Sequence, residues 1–206
     1  MSTFTERFLA ESIDIIQRID PRDLDAMVEV MVASRVQGGR LFICGSGGGA
    51  GHASHATCDF RKLGGFEAYC VSDNVSELTA RINDDSWDTA YSNWLRASRF
   101  RAGDCLFVFS VGGGSVEPPV STNLVSCMEL AKEVGASIVG VAGRDGGALR
   151  QLADACVVIP TADPALVTPH TEGFQALMWH LIVSHPMLAQ SIAKWEGIEA
   201  TATAVR

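Results

Sequence analysis

The chain has no apolar run approaching the roughly 20 residues that cross a bilayer. It has no G-K-S/T tripeptide, no C-x-x-C pair, no internal repeat and no low-complexity tract. Each absence closes a class: a membrane span, a P-loop nucleotide site, a thioredoxin-like or paired-thiol metal site, a solenoid. A basic excess is missing too. The 16 Lys and Arg face 24 Asp and Glu, a net charge of −8. That balance repels nucleic-acid phosphates and anionic membranes, so neither is an expected partner. A small phosphorylated ligand stays open, because it needs only a local cradle. Residues Met1–Arg18 mix acidic and basic side chains at helical spacing, with no continuous apolar stretch and no cleavage pattern. No signal peptide is therefore expected, and the expected location is cytoplasmic. Of the six cysteines, Cys44, Cys70, Cys105 and Cys156 fall in apolar, strand-like runs. They read as small buried hydrophobes in a reducing compartment.

What is present is a globular composition. With 47% hydrophobic and 19% charged residues in 206 positions, the chain can bury one sizeable core. Five β-rich apolar runs stand out: 40–44, 68–72, 105–110, 137–142 and 155–160. They are continuous rather than alternating, as strands covered on both faces are. Segments of helical length separate them. The expected fold class is α/β: a three-layer αβα sandwich with a five-stranded parallel sheet, preceded by N-terminal helices. Residues 1–36 read as those helices, 37–196 as the α/β domain and 197–206 as a frayed tail. Pro21 after Asp20 marks a helix break and restart. The leading helices carry apolar stripes (Ile13, Ile16, Met27, Met31) and are not needed for the sheet, so they are expected to form an oligomer interface.

Three glycine-rich loops follow strand ends. They are Gly45-Ser46-Gly47-Gly48-Gly49, Ser110-Val111-Gly112-Gly113-Gly114-Ser115 and Gly143-Arg144-Asp145-Gly146-Gly147. Glycine lets backbone N–H groups approach an anion, and a following helix adds its positive end. In an open parallel sheet such loops converge on one crevice. The first loop, with Gly45, Gly47 and the glycines that follow, comes close to G-x-G-x-x-G, with Ala50 in the last place, but that pattern alone is weak evidence for a dinucleotide.

These loops resemble those of the SIS (sugar isomerase) domain family. The family pattern runs G-N-G-G-S, then H-x-x-x-E on a helix, S-D, N-D, S-T-S-G-N-S and G-x-D-G-G, then Q and H eight residues apart on a late helix. This chain has the three loops above with His55…Asp59, Ser72-Asp73, Asn83-Asp84 and Glu172…His180, in the same order. Within the family it is most similar to the phosphoheptose isomerases. The resemblance implies a flavodoxin-like SIS fold and a homotetramer with sites at subunit interfaces. It also implies a divalent metal, zinc above all, held by His55, Asp59, Glu172 and His180. Asp59 is one methylene shorter than the family's Glu, and Glu172 replaces a neutral Gln.

The implied reaction converts sedoheptulose 7-phosphate to D-glycero-D-manno-heptose 7-phosphate through a metal-stabilised enediolate. Asp59 and His180 act as acid and base, with Asp84 as a further acidic group. Ser46, Gly47, Gly48, Gly49, Asn83, Ser110, Gly112, Gly113, Gly114 and Ser115 bind the sugar phosphate. Relative to the family, Val111, Gly112 and Gly49 lack hydroxyls, which opens two alternatives. One is isomerisation of another ketose phosphate, and the other is a non-catalytic sugar-phosphate sensor or partner-binding protein. Arg61, Lys62 and Arg144 are cationic supplements or plain surface charges. His52 and His170 compete for roles in the site, His185 reads as structural, and Trp87, Trp94, Trp179 and Trp195 read as packing groups.

Overall fold

The computed structural model describes residues 2–197; the expected tail lies almost wholly outside the described residues. Helices α1 (Phe4–Arg18) and α2 (Pro21–Val36) lead the chain. Thr3 and Glu6 form a reciprocal capping box at the start of α1, and Asp20 caps α2 with Pro21 at its first position. Strands β1 (Leu41–Gly45), β2 (Ala68–Cys70), β3 (Cys105–Ser110), β4 (Ser137–Ala142) and β5 (Ala155–Val158) then alternate with helices. These are α3 (Gly48–Lys62), α4 (Val75–Asp84), α5 (Trp87–Ala97), α6 (Thr122–Val134), α7 (Gly147–Leu152) and α8 (Val167–Ser184). The expected five-stranded parallel sheet is present, in the order β2-β1-β3-β4-β5, with every pairing parallel. Strands β2 and β5 end two residues short of the apolar runs. Beyond them Val71 and Ile159 still donate to Ile43 and Ala142, but the chain is already turning away.

The continuous apolar strands serve two cores. Leu41, Ile43, Phe107 and Phe109 point to one face, packed by Met27, Met31, Phe60, Trp179 and Ile182 from α2, α3 and α8. Phe42, Cys44, Leu106 and Val108 point to the other, packed by Leu95, Leu124, Met128 and Leu149 from α5, α6 and α7. This alternation is the period of two made visible. Cys156 is only half-buried, because β5 is the sheet's edge.

At the opposite end from the loops, Asp104 is fully buried and clasps the starts of β1 and β3. It accepts from the Arg40 backbone and guanidinium and from Arg101 N–H. Helix α1 buries Ile15 alone and leaves Phe4, Leu9, Ile13 and Ile16 exposed. Among the described residues, no helix is long and apolar enough to cross a membrane.

Candidate active site

Chain order reverses across the sheet between β1 and β3, which makes their C-terminal ends the natural ligand crevice. The loops after both strands meet there. Ser46 Oγ lies 3.2 Å from Nδ2 of Asn123, a fully buried residue in the first turn of α6. Asn123 was not among the expected site residues; a buried amide tying the first glycine loop to α6 has no local sequence signal.

Gly45 is needed where the first loop turns into α3, because a Cβ there would sit 2.3 Å from Gly49 C and O. In the second loop Ser110 is buried and its Oγ accepts from Gly113 N–H at 3.0 Å. Its hydroxyl is thus bound first to its own loop. Gly113 and Gly114 both have positive φ, and their carbonyls accept from Leu149 and Ala148 at the start of α7. The second and third loops are therefore one hydrogen-bonded unit. Arg144 rests its side chain near Gly112 and lines, with Ser115, Asp145 and Gln151, a cavity of about 440 Å³.

On the α3–α8 side of the crevice stand the titratable groups. His55 and Asp59 are one turn apart on α3, so they share a face. His180, on α8, reaches the same point. Asp59 Oδ2 lies 3.9 Å from His55 Nε2 and 3.9 Å from His180 Nε2. His180 Nδ1 is 2.7 Å from the Ala176 carbonyl. A carbonyl can only accept, so Nδ1 carries the proton and the neutral ring keeps its lone pair on Nε2. The exposed imidazoles and the half-buried carboxylate share ligand atoms that all lie within 4.8 Å of one another.

This donor set fits a divalent ion. Ligand atoms around a tetrahedral zinc stand about 3.3 Å apart, a contraction within reach of side-chain rotation. The His180 Nδ1–H bond to a backbone carbonyl is the support such a ligand ordinarily has.

Glu172 is placed differently. Its carboxylate lies over the first residue of α3, where a Cβ on Gly48 would meet it at 2.5 Å. It lies outside the three-residue cluster, next to His52. Burial holds the His52 imidazole below the usual histidine range, with Glu172 opposing the shift. Asn83 donates to Asp84 at 2.8 Å, at the exposed end of α4, and among the described residues neither hydrogen-bonds to the cluster.

His170 sits away from the cluster: buried, 3.0 Å from Glu11 and stacked on Phe8, it ties α1 to α8. His185 is the C-cap of α8, where its backbone N–H donates to the Ile182 carbonyl and its Nδ1 accepts from Met187 N–H beyond the helix.

A parallel αβα sandwich with glycine loops at its switch point defines an α/β domain built to receive a small anionic ligand. The chain belongs to the SIS domain family, which it matches over residues 7–143. It is 35% identical to the lincomycin biosynthesis protein LmbN of Streptomyces lincolnensis over 86% of its own length, and spans 66% of that protein. It is 31% identical to the phosphoheptose isomerase of Crocosphaera subtropica, with 87% of each chain covered. Among solved structures, the phosphoheptose isomerase GmhA from Neisseria gonorrhoeae superposes with a TM-score of 0.75 at 27% identity, covering 88% of this chain and 98% of that one. These matches support a sugar-phosphate isomerase.

Proposed function

We propose that the chain isomerises sedoheptulose 7-phosphate to D-glycero-D-manno-heptose 7-phosphate. The observation that carries this reading is the single carboxylate oxygen of Asp59, on the helix that follows the first glycine loop, facing two imidazole Nε2 atoms. Aldose–ketose interconversion moves one proton between C1 and C2 and passes negative charge through the adjoining oxygens. It needs a group that takes the proton, a group that returns it, and something that stabilises the charge.

His180 Nε2, bare of a proton in the neutral ring, can accept one from the sugar and return it only while it is not a metal ligand; with a metal on that lone pair, the proton goes to the Asp59 carboxylate oxygen left free. Asp59 is the carboxylate partner within reach of the same atoms. The Ala176 carbonyl holds the ring's tautomer through the exchange. His55, Asp59 and His180 would hold a divalent metal, zinc by the nature of the donors; Glu172, whose carboxylate turns toward Gly48, stands outside that set. When bound, it supplies Lewis acidity toward the sugar oxygens. Backbone N–H groups of the first and second glycine loops, with Ser46 and Ser115, receive the phosphate. Asn83 and Asp84 are assigned to the sugar end of the substrate.

The exposed apolar face of α1, continued by Leu177 and Leu181 of α8, supports a homotetramer with sites at its interfaces. All six cysteines are free thiols, which fits a reducing cytoplasm.

A second reading is isomerisation of a different ketose phosphate. Val111 and Gly112 offer no hydroxyl, so this phosphate cradle leans on backbone N–H groups; Ser110 Oγ accepts from Gly113 N–H and keeps its own proton to donate. The similarity to LmbN favours a specialised sugar. The test is to incubate the zinc-loaded protein with sedoheptulose 7-phosphate and follow aldose formation. Turnover abolished by His180→Ala and by chelation is the expected result. Stoichiometric zinc without turnover selects the second reading. Neither zinc nor turnover overturns both.

A further inference from the structure

Trp179 is the largest fully buried side chain of the molecule. Its indole touches both histidines of the cluster. The ring stacks on His180 with centroids 3.4 Å apart and 27° between planes, and meets His55 edge-on at 4.8 Å and 66°. Consecutive residues leave a helix about 100° apart, so neighbouring rings ordinarily diverge. Contact between residues 179 and 180 requires both side chains to turn toward each other.

Packing alone does not account for an indole here. The Trp179 Nε1–H is buried with no partner among the described residues, an unfavourable arrangement that leucine or phenylalanine would avoid while filling the same apolar space. What leucine would not supply is a flat face for one imidazole and an edge contact for another. His180 is fixed from two directions, by the indole face and by the Ala176 carbonyl. His55 makes no hydrogen bond among the described residues; the rings of Trp179 and His180 are its aromatic contacts.

We propose that Trp179 is a positioning residue that clamps His55 and His180 so that both Nε2 atoms face Asp59. This rests on the reading of that cluster as the cation-holding part of an isomerase site. The clamp fixes the donors before any ion arrives, so its removal loosens metal binding without removing a ligand.

Two measurements on the full chain test it. The first is NMR of the histidine rings in metal-free protein. A face-on indole displaces the His180 ring protons upfield. The displacement should be present in the parent, lost in Trp179→Leu and partly kept in Trp179→Phe. Unshifted His180 protons in the parent overturn the proposal with no variant needed.

The second is zinc affinity by competition with a chromophoric chelator. Trp179→Leu should bind about 10–100-fold more weakly, the effect of losing a group that orients a ligand. Trp179→Phe should restore most of the affinity, with circular dichroism confirming that both variants are folded. A folded Trp179→Leu that binds zinc as tightly as the parent also overturns the proposal. A parent that binds no zinc but shows the shifted His180 overturns the cation reading of the cluster and upholds the clamp.

Discussion

Gly113→Ala separates a positional role of the glycine loops from a merely permissive one. Gly113 has φ +76°, and a Cβ there would lie 1.8 Å from the Gly146 carbonyl oxygen and 2.3 Å from its carbon. The left-handed conformation costs an alanine roughly 1–2 kcal/mol. The clash is backbone against backbone, so no side chain can swing away. Relief requires the second and third loops to part. That threatens the bonds from Leu149 N–H to the Gly113 carbonyl and from Ala148 N–H to the Gly114 carbonyl, both 2.9 Å. Each is worth about 0.5–1.5 kcal/mol net, which gives a total loss of about 2–5 kcal/mol.

Gly38→Ala is the matched control. Gly38 has φ +74° and nothing within 4 Å of its built Cβ, so it incurs only the conformational cost, roughly 1–2 kcal/mol. Urea unfolding of both variants, read by circular dichroism, should place Gly113→Ala about 1–3 kcal/mol below Gly38→Ala, by the same hydrogen-bond range. Its activity should fall as well. Equal losses, or full activity in Gly113→Ala, would refute the view that the two loops form one rigid phosphate-facing unit.

Three further outcomes are expected. Asp104→Ala should cost about 3–5 kcal/mol in chemical denaturation, because it takes the carboxylate from Arg40 and leaves the Arg40 and Arg101 backbone N–H groups without their acceptor; a loss under about 1 kcal/mol contradicts the clasp. A thiol reagent at pH 8 should react quickly with Cys58, the exposed cysteine, while all six should react after unfolding. Burial pushes the Cys70 thiol up to about 11 and the Cys156 thiol up to about 12. Folded protein thus keeps protons that unfolded thiols release above about pH 8.5. The stability these groups contribute is complete below that pH and is lost as pH rises through 11 to 12, so the urea midpoint should fall between pH 8 and pH 10.5.

The sheet was legible because its strands are covered on both faces and so read as unbroken apolar runs. Their ends were less so, since Val71 and Ile159 keep a ladder hydrogen bond after the strand geometry has ended. The spacing of His55 and Asp59 already put them on one helical face. That His180 meets them depends on how α8 crosses α3, which no local spacing encodes; the family resemblance supplied it.

Ser110 was readable as a hydroxyl near the phosphate, but its bond to Gly113 N–H depends on the loop's fold. Trp179 looked like a packing group, and it is buried as one. Its contacts with two imidazoles depend on rotamers, to which sequence period is blind. Glu172 shares a face of α8 with His180, yet its carboxylate turns toward Gly48 rather than into the three-residue cluster.

A cluster that moves a proton between C1 and C2 of a ketose phosphate leaves a solvent-derived hydrogen on its product. The most direct test is to incubate the zinc-loaded protein with sedoheptulose 7-phosphate in deuterium oxide and examine the sugars by NMR. Aldose phosphate carrying deuterium at C2 is the expected product, with no incorporation in His180→Ala or Asp59→Asn. Deuterium incorporation undiminished in both variants would contradict it.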